Sequence, residues 1–174
     1  MIRTACLLLI AMPAFAAVVS ATPTDVVIEH SVETARSRVE LFQLVIHPEK
    51  WWSSDHTYSH DAKNLSLELK PGGCYCENWS GGAVAHGSVL QWRSGEVLRL
   101  QTALGPLQVK AVVGVLDFVL KDVGAKARLT VTYRVSGGPG QALDKLAGPV
   151  DIVLGEQVAR LQRLAESGSP EKLK

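Results

Sequence analysis

Apolar and polar positions change period several times along this chain, and each change marks an element. From Thr24 to Val32, Val26, Ile28 and His30 fall on one face and Val27 and Glu29 on the other, the alternation of a half-buried strand. Between Thr34 and Ile46 the apolar positions Val39, Phe42, Val45 and Ile46 recur at helical spacing, with Arg36, Arg38, Glu40 and Gln43 between them. His47-Pro48 stops this helix, because the residue before a proline is pushed out of the α region. Trp51-Trp52 and the polar run from Ser53 to Asp61 then form a long connection, and connections of this length commonly carry function or move.

Period two returns at Leu65, Leu67 and Leu69 and is cut at Pro71-Gly72-Gly73, where proline removes a donor and glycine permits positive φ. Further strands are predicted at Cys74 to Trp79, Ala85 to Trp92, Val97 to Gln101, Val109 to Lys121 and Ala127 to Val135. Gly81-Gly82, Ser94-Gly95, Gly105-Pro106 and Gly124 supply the turns between them. In the last strand Leu129, Val131, Tyr133 and Val135 are expected to point inward, with Arg128, Thr130, Thr132 and Arg134 outward. A broad apolar stripe from Leu143 to Ala165 then predicts a long C-terminal helix, kinked or broken at Gly148-Pro149 and ended by Ser167-Gly168-Ser169-Pro170. Strands followed by a terminal amphipathic helix make an α+β pattern, in which a curved antiparallel sheet wraps the last helix.

The N-terminus follows different rules. Arg3 precedes an uncharged run from Thr4 to Val19 that contains Cys6-Leu7-Leu8-Leu9-Ile10, the pattern of a secretory signal peptide. Two small-x-small cleavage sites follow, Ala14-Phe15-Ala16 and Val19-Ser20-Ala21, and the second leaves Thr22-Pro23-Thr24 as an exposed start. The expected organisation is a leader over 1–21, one folded domain over 22–167 and a disordered tail over 168–174. The apolar run is short of the ~20 residues that a spanning helix needs, so the processed chain is expected to be free of the membrane, in a periplasm or outside the cell.

Composition adds exclusions. The formal net charge is +1, falls to zero when Arg3 leaves with the leader, and is spread without runs, so nothing points to nucleic acid as a partner. Of the three cysteines, Cys6 lies in the leader, which leaves Cys74 and Cys76 as the one possible intramolecular pair. No serine or cysteine nucleophile motif, phosphate loop or dinucleotide fingerprint is present, and no cofactor is expected.

The order of short motifs carries a resemblance. His47-Pro48-Glu49-Lys50-Trp51-Trp52 at a helix end, Leu69-Lys70-Pro71-Gly72-Gly73, Gly95-Glu96-Val97-Leu98-Arg99-Leu100, Leu129-Thr130-Val131-Thr132-Tyr133 and the terminal helix together resemble the helix-grip superfamily. That START-like, or SRPBCC, group includes lipid-binding domains, polyketide cyclases and dehydrases, and the domain related to the activator of Hsp90 ATPase. The chain is closest in pattern to the last two branches, in a secreted variety. The resemblance implies a cavity between the sheet and the terminal helix that holds a small hydrophobic or amphipathic molecule. A leader-bearing chain leaves the cytosol where Hsp90 works, which argues against Hsp90 as a partner.

Residues suited to line such a cavity or its mouth are Trp52, Tyr58, Trp79, Trp92, Leu107, Phe118 and Tyr133, although each is equally suited to plain core packing. An enzymatic alternative, of the cyclase or dehydratase kind, would place Asp55 and His56 of the polar loop with Glu77 as acid–base groups. Cys74 and Cys76 admit three readings. Residues two apart on a strand lie ~6.6 Å apart between Cα atoms, so a disulfide needs a bulge. As metal ligands they would need His86 as a third partner, and His56 or His60 as a fourth. As buried thiols they would simply serve as small apolar residues. If Tyr75 and Trp79 point inward, the cysteines point out.

Overall fold

The computed structural model describes residues 17–172. Eight antiparallel strands form one sheet in the order β1-β2-β8-β7-β6-β5-β4-β3. They are β1 (Ala17–Ala21), β2 (Asp25–Thr34), β3 (Leu65–Leu67), β4 (Cys74–Trp79), β5 (Gly82–Arg93), β6 (Val97–Thr102), β7 (Val112–Val123) and β8 (Lys126–Gly137). The helix α1 (Arg38–Val45) follows β2, and the helix α2 (Asp144–Ser167) closes the chain against the concave face. Three 3-10 turns fill the connection between α1 and β3, at Pro48–Lys50, Ser54–His56 and Ala62–Asn64. This is the α+β helix-grip architecture that the order of elements predicts.

The period-two reading carries over to side-chain direction. Val26, Ile28, His30 and Val32 of β2 are buried, and so are Leu129, Val131, Tyr133 and Val135 of β8, which pairs with β2 through its whole length. Against them α2 packs Ala147, Leu154, Val158, Leu161 and Ala165. The fit is close. A Cβ added at Gly155 would lie 2.8 Å from the His30 ring, so this turn of α2 can approach β2 only as glycine.

Several local expectations are corrected by the structure. The first helix starts at Arg38 rather than Thr34, because Ser37 and Glu40 form a reciprocal capping box while Thr34 still belongs to β2. Its buried face is Leu41, Phe42 and Val45, and Val39 is exposed. The strand after the polar loop ends at Leu67, two residues before the expected Leu69, because Lys70 N–H donates to Glu68 O, Gly73 N–H to Lys70 O, and the chain turns through Pro71-Gly72-Gly73 with Gly72 at φ +75°. Of the kink or break expected at Gly148-Pro149 the break is absent, since the long helix runs on through Pro149. Gly148 before the proline has no Cβ to clash with the ring, so only the bond to the Lys145 carbonyl is lost.

Both termini also depart from expectation. Ala17–Ala21, placed by sequence in the leader, is an edge strand paired with β2 from Ala17↔Glu29 to Ala21↔Val26. Residues 1–16, with Cys6 and the apolar run, lie outside the described residues. At the other end, residues 168–172 are not a loose tail. Gly168 caps α2 in the left-handed region, Arg163 Nε donates to Pro170 O at 2.8 Å, and Arg160 forks onto Glu171 at 2.7 and 3.1 Å.

Cys74 and Cys76 are bonded to each other, with Cα atoms 5.4 Å apart. Pairing is irregular at the bridge: the register of β4 with β5 steps from Tyr75↔Gly87 to Cys76↔Ala85, leaving His86 of β5 as the extra residue. Tyr75 and Glu77 point inward and are buried, so the half-buried sulfurs lie on the other face of the sheet. The buried-thiol and metal readings are thereby set aside, since His86 is on the inner face, paired with Glu77. A bridge that closes so short a loop removes little chain entropy. Replacing both cysteines by serine is expected to lower unfolding stability by about 1.6 kcal/mol at most in urea titration, the figure for a three-residue loop.

Candidate functional site

Between α2, strands β4, β5 and β8 and two loops lies a cavity of about 290 Å³. Trp52, Thr57 and Tyr58 come from the polar loop, Leu104 to Pro106 from the connection after β6, and Pro149, Val150, Val153 and Leu154 from α2. Tyr75, His86 and Tyr133 form the sheet wall. The walls are mainly aromatic and aliphatic, with few polar groups, the usual character of a small-molecule site. Pro149 is part of that wall, so the helix turn that lacks one backbone bond is the one facing the cavity.

The polar loop is held in place by hydrogen bonds to α2 and to the sheet. Ser53 N–H donates to Gln157 Oε1 at 2.7 Å, and His56 Nε2 lies 3.1 Å from Glu156 Oε2. Trp52 Nε1 donates to the His56 carbonyl at 3.0 Å, which sets the indole plane against the cavity. The facing lip is fixed by Tyr133, whose hydroxyl accepts from Leu104 N–H at 3.0 Å and donates to Thr102 O at 3.2 Å. Burial pushes the Tyr133 phenol up to about 12, so it stays a donor. Tyr58 spans the two lips, its hydroxyl 3.4 Å from the Gly105 carbonyl.

Beneath the loop sits Glu77, 0 % exposed. Its carboxylate accepts the Tyr58 N–H at 3.1 Å, the Ser59 N–H, and His86 Nε2 at 3.1 Å. Burial by itself would raise the Glu77 carboxyl, but the bonds from Ser59, Tyr58 and His86 together hold it below the ordinary carboxylate value. Burial pulls His86 down and Glu77 pulls it up, with a net shift downward, so the imidazole is neutral at neutral pH. Tyr75 packs beside His86 with ring centroids 5.1 Å apart, and burial, reinforced by the nearby Glu77 charge, raises its phenol well above the usual range.

Of the residues singled out from sequence, Trp52, Tyr58 and Tyr133 meet at the cavity. The other four do not. Trp92 is exposed near the far end of β5, and Trp79 covers Gly82 at the β4–β5 turn. Phe118 packs edge-on against Trp51 in the core, and Leu107 is buried beside Val26, Val135 and Leu143. Trp79, Trp92 and Phe118 lie on strands away from the cavity and Leu107 on the 3-10 turn after β6, placements that residue type alone does not reveal. The alternative catalytic set is not assembled either: His56 is at the exposed rim, Asp55 faces solvent and Glu77 is sealed beneath the loop. Sequence reasoning missed Tyr75, His86 as a wall residue, and the 149–154 face of α2. Tyr75 had a signal in its alternation with Cys74 and Cys76, whereas the helix face had none, because any of its apolar positions would serve the core equally well.

No protein-family model and no curated sequence matches the chain. Solved structures do, at low identity. A conserved protein of unknown function, EF2215 from Enterococcus faecalis, superposes with a TM-score of 0.62 at 12 % identity, over 87 % of this chain and 78 % of that one. The Aha1 dimer from Colwellia psychrerythraea gives 0.59 at 16 % identity, over 82 % and 97 %. DynU16, a protein in the dynemicin biosynthetic locus, gives 0.60 at 17 % identity, and the match spans 84 % of this chain but 49 % of that one. Likeness at this level shows a shared helix-grip fold.

Removing Glu77 leaves two backbone donors and one imidazole donor without an acceptor. Glu77→Ala is therefore expected to cost about 3 kcal/mol or more in chemical denaturation. The pH dependence has a defined sign. Because the folded-state carboxyl lies below its ordinary value of 4.5, its contribution is complete above that pH and is lost as pH falls through the depressed value. Glu77→Gln should flatten the acid limb of a stability-against-pH curve below about 4.5 relative to the parent protein, while leaving the neutral region parallel.

Proposed function

We propose that this protein is an exported carrier or sensor that holds one small apolar or amphipathic molecule between its sheet and α2. The carrying observation is the 290 Å³ cavity, whose walls are aromatic and aliphatic and whose two lips are pinned by separate hydrogen-bond sets. A packed core has no use for such a space, and an empty apolar cavity costs stability in proportion to its volume. The partner is the ligand itself. No catalytic step is needed to account for the geometry.

Export is supported by Arg3 and the uncharged run that follows it. Cleavage at Ala14-Phe15-Ala16 is favoured over Val19-Ser20-Ala21, because the second cut would remove β1 from the edge of β2. Among the described residues no helix is long and apolar enough to cross a membrane.

Two measurements follow. Intact mass of protein recovered from the producing cell should correspond to a chain beginning at Ala17, and a start at Thr22 or an unprocessed chain would refute that site. The neutral fluorophore N-phenyl-1-naphthylamine should brighten on binding, and Val153→Trp, which fills the cavity from α2, should weaken that binding at least ~10-fold without unfolding the protein. Equal binding by parent and variant would remove the cavity from consideration.

A further inference from the structure

Most polar groups on the cavity wall are already engaged. Tyr133 both donates and accepts, Tyr58 reaches Gly105 O, Thr57 Oγ1 donates to Ser54 O and Trp52 Nε1 to His56 O. Among the buried wall residues two side-chain atoms are left. Neither His86 Nδ1 nor the Tyr75 hydroxyl makes a hydrogen bond among the described residues. Both residues are buried, yet neither atom is among the sealed side-chain atoms of the described residues that lack a hydrogen bond. His86 Nδ1 and the Tyr75 hydroxyl are therefore open to space, and the space that both residues line is the cavity.

Their polarities follow from the geometry. Glu77 already accepts two backbone N–H groups, so its carboxylate is the acceptor toward His86 as well, and Nε2 carries the imidazole proton. Nδ1 is then a lone-pair acceptor. The Tyr75 hydroxyl beside it, with no acceptor of its own, is a free donor. No lysine, arginine or carboxylate lines the cavity, and His56 at the rim is held by Glu156.

We propose that the ligand of this cavity is a neutral, hydroxyl-bearing aromatic or enolic molecule, whose O–H donates to His86 Nδ1 and whose oxygen accepts from the Tyr75 hydroxyl. This rests on the cavity-binding reading and adds its chemical class. A hydroxyl offers donor and acceptor at one atom, which matches the two wall groups. A ketone or ether satisfies Tyr75 and leaves Nδ1 without a donor. A carboxylate brings two acceptors and a charge next to the Glu77–His86 pair, with no cation to balance it, so simple fatty acids are excluded. A flat ring suits the walls supplied by Trp52, Tyr58 and Tyr75.

Calorimetric titration of the full folded chain at neutral pH with 2-naphthol, 2-methoxynaphthalene and 2-naphthoate separates these cases. The naphthol should bind at least ~10-fold more tightly than the ether or the carboxylate, the effect of one to two buried hydrogen bonds. Tyr75→Phe removes an oxygen the fold does not use and a donor that the naphthol and the ether both accept, so it should weaken each by ~5-fold or more and leave the preference between them in place. His86→Phe should abolish the preference, and because His86 also supports Glu77 the Tyr75 variant decides if this one does not fold. Equal binding of the three probes, tighter binding of the naphthoate, or an undiminished naphthol affinity in Tyr75→Phe would overturn the proposal and leave cavity binding standing. Failure of all three probes while N-phenyl-1-naphthylamine still binds would also overturn it, whereas loss of both would sink the cavity reading itself.

Discussion

A carboxylate with no exposure to solvent, Glu77, organises this site. Its charge is stabilised by two backbone N–H groups of the polar loop and by His86 of the neighbouring strand. Burying an ionised group is costly unless it is fully hydrogen-bonded, so the loop must return to the same place each time the chain folds. That return seats Trp52, Thr57 and Tyr58 over the cavity. It also fixes the tautomer and direction of His86, which the β4–β5 bulge has already turned inward. One buried charge thus couples the loop and the strand wall.

The other wall depends on how α2 lies across the sheet. Close packing at Gly155 against His30, and the approach of His30 Nε2 to Asp151 Oδ1 at 2.9 Å, hold the middle of the helix down. Gln157 then receives Ser53 N–H from the loop. On another face of the same turns the helix carries Pro149, Val150 and Val153, which line the cavity. The space is therefore set by where helix and sheet are held together, with small and polar residues at the points of contact and branched apolar residues over the gap.

The outer face of the strand wall has separate chemistry. Cys74 and Cys76 close their bridge away from the cavity, one residue on either side of Tyr75. A strand segment tied on one face and presenting Tyr75 and Glu77 on the other has little freedom to twist. The bridge and the site share a strand without sharing a surface.

Much of the fold was legible because period alone reports it. The alternation in β2 and β8, the proline stop after α1, the turn at Pro71-Gly72-Gly73 and the stripe of α2 are local consequences of backbone geometry. The bulge required by a Cys-x-Cys bridge was likewise a local geometric condition, although whether the chain met it was not. Other features were decided by contacts distant in sequence. The pairing of Ala17–Ala21 with β2, the folding back of residues 168–172 through Arg160 and Arg163, and the continuity of α2 through Pro149 belong to this group. So does the choice among aromatic residues: Trp52, Tyr58 and Tyr133 reach the cavity while Trp79, Trp92 and Phe118 do not, because a strand's alternation says which face a side chain takes and not what lies over that face. By itself the sequence determined the elements, their order and which residues turn inward, since these follow from neighbours along the chain. Only the tertiary structure decided which inward residues meet empty space, because a cavity exists only where two elements are held apart.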